Sequence, residues 1–463
     1  MNLVHMSKKI SLFALVLLVI GAIDSIRNLP AAALFGSSLI FFFVFSAIVF
    51  LIPIALVSAE LSAAFPNKGG VYEWVRTAFG DKAGMLSIWL QWINTMVWYP
   101  TILSFIAGTA AYIIKPELAQ NKLYLVGVIL LTFWTLTWVN LKGIEFSAKV
   151  NGICVLIGTM FPMLFLVALG IAWVSSGMPM AIKLDAASIF PSLDNAANWV
   201  SLTAIMASFL GMELSGVHVN SIHNPQRNFP KAMAYSALFI LFSMLFGSLA
   251  IAFVIPTHEI RLVDGVMQVF TDFFQSFHIP WFIPILTLLI VIGSVGGMIN
   301  WLIAPAKGLL HAAEWKFLPP FFSKLNRHGV PKNLLLVQAL LVSLFCMLFL
   351  FVEKINSFYW FLTGLSTELY MIMYVMIFLA ALRLHYTHKI RPKIFKIPGN
   401  HVGMWITILL GLFGCAATLI IGFFPPDELH IDRLQYALMI LLGCVLMVAP
   451  VLFFYWYQRR NSR

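Results

Sequence analysis

The stretch Gly21–Pro30 places an Asp, a Ser, an Arg and an Asn inside a long apolar run. Asp24 and Arg27 would each cost about 2.5–3.5 kcal/mol near the centre of a bilayer. The Gly and the Pro at the two ends of the stretch weaken a helix. A broken helix at membrane depth is tolerated only where it is buried in protein or lines a watery cavity. The stretch therefore predicts a solute site inside a membrane transporter.

Composition agrees with a membrane protein, because 61% of the 463 residues are hydrophobic and only 10% are charged. A soluble domain has about 25% charged residues. Runs of about 20 apolar residues are long enough to cross a bilayer. The sequence predicts twelve such spans, numbered 1 to 12 in chain order: 10–35, 38–63, 84–114, 123–141, 149–176, 198–222, 231–255, 281–312, 334–352, 356–384, 402–424 and 435–457.

The net charge of +11 does not indicate a nucleic-acid partner, because Lys and Arg are concentrated at the termini and in alternate loops. That distribution follows the positive-inside rule. It predicts a multi-pass membrane protein with both termini in the cytoplasm.

The cysteines do not indicate a disulfide framework or a zinc site. All of them fall inside predicted spans, without paired spacing. The sequence also has no nucleophile motif, phosphate loop or metal-binding cluster, so we expect neither an enzyme nor a cofactor. The four cysteines are Cys154, Cys346, Cys415 and Cys444.

Span 6 is also interrupted, because it contains Gly211, Glu213 and Gly216 within a short stretch. Interrupted segments at corresponding places in two halves indicate an inverted-repeat transporter with its site at the breaks. Helix N-termini there offer N–H groups to a carboxylate, and helix C-termini offer carbonyls to an ammonium group. A zwitterionic amino acid suits both ends. The alternative is a pair of kinks needed only for packing.

Three segments resemble the amino acid–polyamine–organocation transporter superfamily. They lie after spans 2, 6 and 8, in the order expected for that superfamily. They are Pro66–Trp74 with the preceding Ala59–Leu61, Asn224–Ala232, and Leu318–Phe322 with Asn326–Pro331.

Within the superfamily, the chain is most similar to the bacterial glutamate/γ-aminobutyrate antiporter branch. The residues that resemble this branch lie in span 6, in the loop after span 7, in span 8 and before span 11. They are Gly211–Glu213 with His218–Asn220, Ile255–Pro256, Asp264–Gln268, Trp301–Pro305 and Phe395–Gly399.

The resemblance implies a polytopic all-α fold with a five-plus-five inverted repeat, broken helices 1 and 6, and two extra C-terminal helices. The chain is then a single transporter domain, 1–463. Repeat one is about 10–176, repeat two about 198–384, and helices 11 and 12 about 402–457. The resemblance also implies alternating access and amino acid substrates exchanged or moved with protons. It places the chain in the lipid of a bacterial inner membrane. The oligomeric state stays open.

Two departures from related transporters affect the expected function. Acid-resistance members of the branch have a C-terminal extension that plugs the vestibule. This chain ends at Arg463, so we expect no gating by such a plug. Arginine/agmatine exchangers have an aromatic gate four residues before the Gly of span 6. Ala207 stands there, which disfavours a stacked guanidinium substrate.

Arg27 is the candidate receptor of a substrate carboxylate. It lies three residues from Asp24, so the alternative is a structural salt bridge between the two. Gln91, Asn94 and Trp98 recur at helical spacing in span 3, which indicates either a cavity face or a polar seam between helices. The full set of predicted substrate-binding residues is Ile23, Asp24, Ser25, Arg27, Asn94, Phe209, Leu210, Gly211, Met212 and Trp301.

Two further carboxylates lie inside spans and are candidates for gating or proton-linked roles. Glu213 lies at the break of span 6, and Glu368 lies in the middle of span 10. The alternative for each is a hydrogen bond that only joins helices. A third pattern, Gly293, Gly296 and Gly297 in span 8, predicts close helix packing.

The sequence therefore favours a secondary active amino acid transporter, most of all an antiporter. A proton-coupled importer of the same fold is the alternative. A channel should not need two broken helices, and a sensor normally has an output domain, so both are less favoured.

Overall fold

The computed structural model describes residues 10–65, 70–143, 152–191, 199–314, 316–352, 354–387, 395–426 and 431–461. These residues form helices and connecting loops. They contain two isolated β-bridges, Ile10–Ile222 and Leu325–Pro331, but no strand. The described residues include eleven helical segments long and apolar enough to cross a membrane. The predicted class, an all-α polytopic membrane protein, is confirmed.

The observed spans follow the predicted order. Span 6 differs from the others, because its apolar helical part, Leu202–Gly216, is shorter than a full membrane crossing. The remaining spans are Leu12–Ala33, Gly36–Ala64, Asp81–Ile114, Lys122–Leu141, Gly152–Ser175, Pro225–Val254, Pro280–Leu310, Lys332–Leu350, Ile355–Thr387, Asn400–Ile421 and Arg433–Arg460. The division into two repeats stays a prediction. Below, the first face is the side of the bundle where Leu12 lies, and the second face is the side where Ala33 lies.

Span 1 is broken at Asp24 and Ser25. The helix Leu12–Ile23 ends there, because both residues have extended backbone, with ψ of 103° and 114°. A short 3₁₀ turn and the helix Leu29–Ala33 complete the span. Pro30 starts this second helix, where a missing N–H costs nothing. The break therefore lies inside the predicted stretch and exposes helix ends at membrane depth.

Span 6 is broken at Gly211. The helix Val200–Ser208 ends before Phe209, and a 3₁₀ helix, Met212–Ser221, follows the break. Gly211 has φ of 115°, a left-handed conformation that glycine adopts without steric cost. A residue with a Cβ atom would be strained there, so the glycine fixes where span 6 turns.

In two other spans a proline follows a π turn, and the span does not break. A π turn, Ala47–Leu51, precedes Pro53 in span 2, and another, Leu156–Met160, precedes Pro162 in span 5. A wider turn accommodates the residue that cannot donate a backbone hydrogen bond. These spans stay continuous, and the breaks of spans 1 and 6 are of a different kind.

Span 3 packs along span 8 on one side and along span 10 on another. Span 7 packs against spans 1, 2 and 5. The predicted glycine face of span 8 is confirmed as a packing face, because Gly293 lies against the backbone of Gly158 and Gly296 lies against Cys154. Side chains on these glycines would overlap span 5, so the two spans approach closely beside the break of span 1.

The loop after span 7 covers part of the second face. Its helix, Gly265–Ser276, begins at Gly265, beside Pro30 of span 1. Asp264, just before this helix, is fully buried and accepts a 2.9 Å hydrogen bond from Tyr112. Arg261 lies 3.2 Å from the same carboxylate oxygen. The loop is therefore tied both to span 3 and to the outer half of span 1.

Candidate functional site

A cavity lies where the breaks of spans 1 and 6 meet span 8. Its volume is about 40 Å³, which holds roughly three water molecules. An amino acid therefore enters only when the surrounding helices move. The lining residues come from spans 1, 3, 5, 6, 8 and 10: Gly21, Ala22, Ile23, Asp24, Ser25, Ile26, Arg27, Asn28, Asn94, Trp98, Ile102, Thr159, Ala207, Leu210, Gly293, Ser294, Gly297, Trp301 and Ser366.

Arg27 is a buried cation in the wall of this cavity, with 5% of its surface exposed. Its Nη1 donates to Thr101 Oγ1 at 2.6 Å and to the Tyr359 hydroxyl at 3.2 Å. The guanidinium carbon also lies 5.3 Å from the centre of the Trp98 ring, a cation–π contact. These contacts hold the side chain in place, while its buried Nε–H has no acceptor among the described residues.

The predicted alternative, a salt bridge between Asp24 and Arg27, is not formed in the described residues. Asp24 instead lies within hydrogen-bond distance of Ser243 of span 7, whose Oγ is 3.1 Å from Oδ1 and 3.0 Å from Oδ2. Arg27 faces span 3 and span 10. Its positive charge is therefore not neutralised by a carboxylate of the described chain.

Trp301 connects the two broken spans. Its indole N–H donates to the carbonyl of Ala22 at 2.7 Å, next to the break of span 1. Its ring lies against Gly211 and packs on Trp98 in a tilted arrangement, with 4.8 Å between ring centres and 31° between ring planes. The Tyr99 hydroxyl donates to the Trp301 carbonyl at 2.7 Å. This tryptophan therefore forms the wall of the cavity nearest the break of span 6.

Glu213 lies beyond Gly211, towards the first face, and is fully buried. It accepts hydrogen bonds from Tyr374, from Tyr370 at 2.6 Å and from Gln91 at 3.0 Å. Tyr374 in turn accepts the backbone N–H of Gly211 at 2.8 Å. Spans 3, 6 and 10 are thus joined by one polar cluster, which closes the bundle between the cavity and the first face. The gating role of Glu213 stays a prediction.

Several predicted substrate-binding residues line the cavity, and others lie outside its wall. Asn94 lines it and accepts a hydrogen bond from Ser366 of span 10. Phe209 is fully buried and makes an edge contact with Phe43 at 5.8 Å. Met212 is fully buried as well. The predicted residues in the wall are Ile23, Asp24, Ser25, Arg27, Asn94, Leu210 and Trp301, and those outside it are Phe209, Gly211 and Met212.

Glu368 points away from the cavity. Its Oε1 lies against Gly422, at the end of span 11, and has no hydrogen-bond partner among the described residues. The structure therefore places this carboxyl group where span 10 meets span 11, while its predicted role in gating stays untested.

Three polar residues of the wall were not predicted: Thr159 of span 5, Ser294 of span 8 and Ser366 of span 10. Each is a single small polar residue in an apolar span. Such residues usually bond to their own helix backbone. The sequence alone therefore did not indicate that these three face a cavity.

Comparison with known proteins gives full-length matches. A family model described as "Amino acid permease" matches residues 10–450. An uncharacterized transporter of Legionella pneumophila is 39% identical over 97% of this chain and 96% of its own length. A glutamate/gamma-aminobutyrate antiporter of Lactococcus lactis is 28% identical over 98% of this chain and 92% of its own length. A probable agmatine/putrescine antiporter of the same species is 23% identical over 95% and 93% of the two chains.

Proposed function

The chain belongs to the amino acid permease family, and we propose that it exchanges amino acids across a bacterial inner membrane, with Arg27 as the receptor of the substrate carboxylate. The family resemblance in the sequence is thereby confirmed, and the protein is a multi-pass membrane transporter rather than an enzyme. The exchange mode and the substrate are the parts that we propose.

The observation that carries the proposal is the unneutralised cation in the cavity wall. A buried charge is normally paired or hydrogen-bonded throughout. Arg27 is fixed by Thr101, Tyr359 and Trp98, yet its buried Nε has no partner in the described chain. A guanidinium group binds carboxylates through parallel N–H groups. An anionic group of the substrate would complete this site.

The break of span 1 provides carbonyl groups for the ammonium group of the substrate. The helix Leu12–Ile23 ends at the cavity, and the last carbonyls of a helix lack intrahelical partners. These carbonyls favour a cation. An α-amino acid places its ammonium group there and its carboxylate at Arg27, so a zwitterion satisfies both ends.

Exchange is favoured over channel-like flow by the closed form of the cavity. The space of about 40 Å³ is too small for a bound amino acid, and the Glu213 cluster joins three spans on the side of the first face. Movement of the broken helices is then required for each passage, as in alternating access. The glutamate/gamma-aminobutyrate and agmatine/putrescine antiporters among the relatives are exchangers by name.

Counterflow in proteoliposomes tests the proposal. Vesicles loaded with one labelled amino acid are diluted into buffer with or without unlabelled amino acids, with L-glutamate, γ-aminobutyrate and agmatine in the panel. We expect release to be much faster with an external substrate that has a carboxylate than without one. Release at the same rate into empty buffer, without a pH gradient, would contradict exchange. Preference for agmatine would contradict the carboxylate role of Arg27.

We also propose that the first face, where the basic residues are concentrated, faces the cytoplasm. Single cysteines added near Leu12 and near Trp281, on opposite faces, should react with a membrane-impermeant thiol reagent in intact cells only at the second position. Labelling of the first position alone would reverse the orientation.

A further inference from the structure

The carboxyl group of Asp24 has one polar neighbour. Asp24 is 3% exposed, and its two oxygens lie 3.1 and 3.0 Å from Ser243 Oγ. Within the described residues no cation and no other donor contacts it. This is unusual for a carboxylate inside a membrane, where ionised groups are paired.

The other ionisable groups near the cavity make their contacts with residues other than Asp24. Arg27, on the same span, is bound to Thr101 and Tyr359. Glu213 of span 6 is enclosed by Gln91 of span 3 and two tyrosines of span 10. Lys307 lies in span 8 two helical turns beyond Trp301, towards the first face. Cys154 of span 5 lies against Gly296.

An ionised Asp24 would have one hydrogen-bond donor among the described residues, the Ser243 hydroxyl, and no counter-charge in contact with it. A serine hydroxyl has one hydrogen and two lone pairs. Ser243 Oγ also lies 3.2 Å from the carbonyl of Ile240, so an ionised Asp24 would compete with that carbonyl for a single hydrogen. A protonated Asp24 donates to Ser243, and Ser243 donates to Ile240, so no charge is left buried without a counter-charge.

We propose that Asp24 is a proton-binding site of the transport cycle. In this closed conformation it holds a proton and binds Ser243 of span 7. When span 1 moves away from span 7, the carboxyl group releases the proton to the water of the opened cavity and pairs with Arg27, three residues along the chain. Return of the transporter without substrate, with Asp24 ionised and paired with Arg27, is slower than exchange. Over such a cycle one proton and its charge cross the membrane with each net substrate.

The same geometry couples the proton to the substrate, and this step rests on the proposed function of Arg27. An ionised Asp24 and a substrate carboxylate compete for one guanidinium group. Substrate bound at Arg27 therefore favours Asp24 in its protonated form against Ser243. Substrate and proton are then bound together in the closed state and move together across the membrane.

Infrared difference spectroscopy tests the proton site without any substrate. The purified protein is compared with Asp24→Asn at neutral pH, in the region where protonated carboxyl groups absorb apart from carboxylates. We expect the wild type to have one protonated-carboxyl band that Asp24→Asn lacks. Identical bands in the two proteins would overturn the proposal.

Two serines of span 7 provide a matched pair for the same measurement. Ser243 and Ser236 are both fully buried, but Ser236 faces the carbonyl of Val16 at 3.4 Å. Ser243→Ala should shift the Asp24 band, because the acid loses its acceptor, and Ser236→Ala should leave it in place. Equal spectra for both serine variants would also contradict the assignment, even if Asp24→Asn folds poorly.

Transport of L-glutamate and γ-aminobutyrate tests the coupling step. An inward acid gradient of one pH unit should drive roughly tenfold accumulation per coupled proton in the wild type. Asp24→Asn should keep exchange between the two faces and lose that accumulation, while Asp272→Asn, in the loop after span 7, should behave as the wild type. Accumulation retained in Asp24→Asn would overturn the coupling. A wild type that exchanges no amino acid would contradict the proposed function alone, since the infrared result still decides the proton site.

Discussion

The indole N–H of Trp301 donates a hydrogen bond to the carbonyl oxygen of Ala22, 2.7 Å away. The break of span 1 leaves this carbonyl without the helical donor that it would otherwise have. The same indole ring lies against Gly211, at the break of span 6. One side chain of span 8 thus contacts both broken helices, so we expect their movements to depend on it.

Trp301→Phe should slow exchange more than it destabilises the protein. Phe keeps most of the ring packing against Trp98 and Gly211, but it leaves the Ala22 carbonyl unpaired at a cost of about 1–3 kcal/mol. Counterflow rates and thermal unfolding in detergent would measure the two effects. Trp89→Phe is the matched control, because the Trp89 indole also donates to a backbone carbonyl, that of Met447 at 2.8 Å, in span 12. Equal losses of exchange in both variants would show that the Trp301 contact has no special role.

Arg27→Gln should weaken substrate binding by roughly 10- to 150-fold, because a hydrogen bond to a charged group contributes about 1.5–3 kcal/mol. Arg27→Lys should recover only part of this loss, since an ammonium group lacks the planar fork of donors. Competition in counterflow gives the apparent affinities. Arg383→Gln, which removes an exposed arginine beside Phe79, should leave them unchanged. A folded Arg27→Gln protein with normal affinity would exclude the carboxylate role.

The sequence predicted the broken spans well because each has an unusual combination of residues. A charged pair in an apolar run costs several kcal/mol, and Gly211 permits a backbone that other residues avoid. The exact break of span 1 was not predicted. Gly21 and Pro30 were expected to weaken the helix, but Gly21 stays helical against Val155, and the chain turns at Asp24 and Ser25.

The partners of the charged residues could not be predicted from the sequence. Arg27 is 74 residues from Thr101 and 332 from Tyr359, and Asp24 is 219 from Ser243. A lone Ser or Thr in an apolar span also bonds to its own backbone, as Thr101 does to Trp98. Only the packing of the spans shows which of these hydroxyl groups faces a charge.

Tyr374→Phe should destabilise the closed bundle more than Tyr370→Phe. Both changes remove a donor to Glu213, but only Tyr374 also accepts the backbone N–H of Gly211. That N–H would be left buried and unpaired, at a further cost of about 1–3 kcal/mol. Thermal unfolding of the two variants in the same detergent gives the difference. Equal melting temperatures would mean that the Gly211 contact does not stabilise the break.

The loop after span 7 should dock more firmly as the pH falls. Burial raises the pKa of Asp264 above its ordinary value, although Arg261 beside it acts in the opposite direction. The docked loop therefore binds a proton more tightly than the released loop. Its extra stability is fully present below the ordinary pKa and is lost as the pH rises through the raised pKa. Protection of the helix Gly265–Ser276 against hydrogen exchange, relative to the intrinsic exchange rate at each pH, should rise on acidification, and Asp264→Asn should abolish that rise.

Asp185 provides a control of opposite sign in the same molecule. Hydrogen bonds from Ser188 hold the pKa of this exposed carboxyl below its ordinary value, and its side chain caps the short helix Ala186–Ile189. Stability from this cap is present above the ordinary pKa and is lost as the pH falls through the lowered one. Acidification should therefore lower the protection of Ser188 against exchange while it raises the protection of the helix after Asp264. A parallel response of both segments would point to a general effect of pH on the bundle, and the local role of Asp264 would then be wrong.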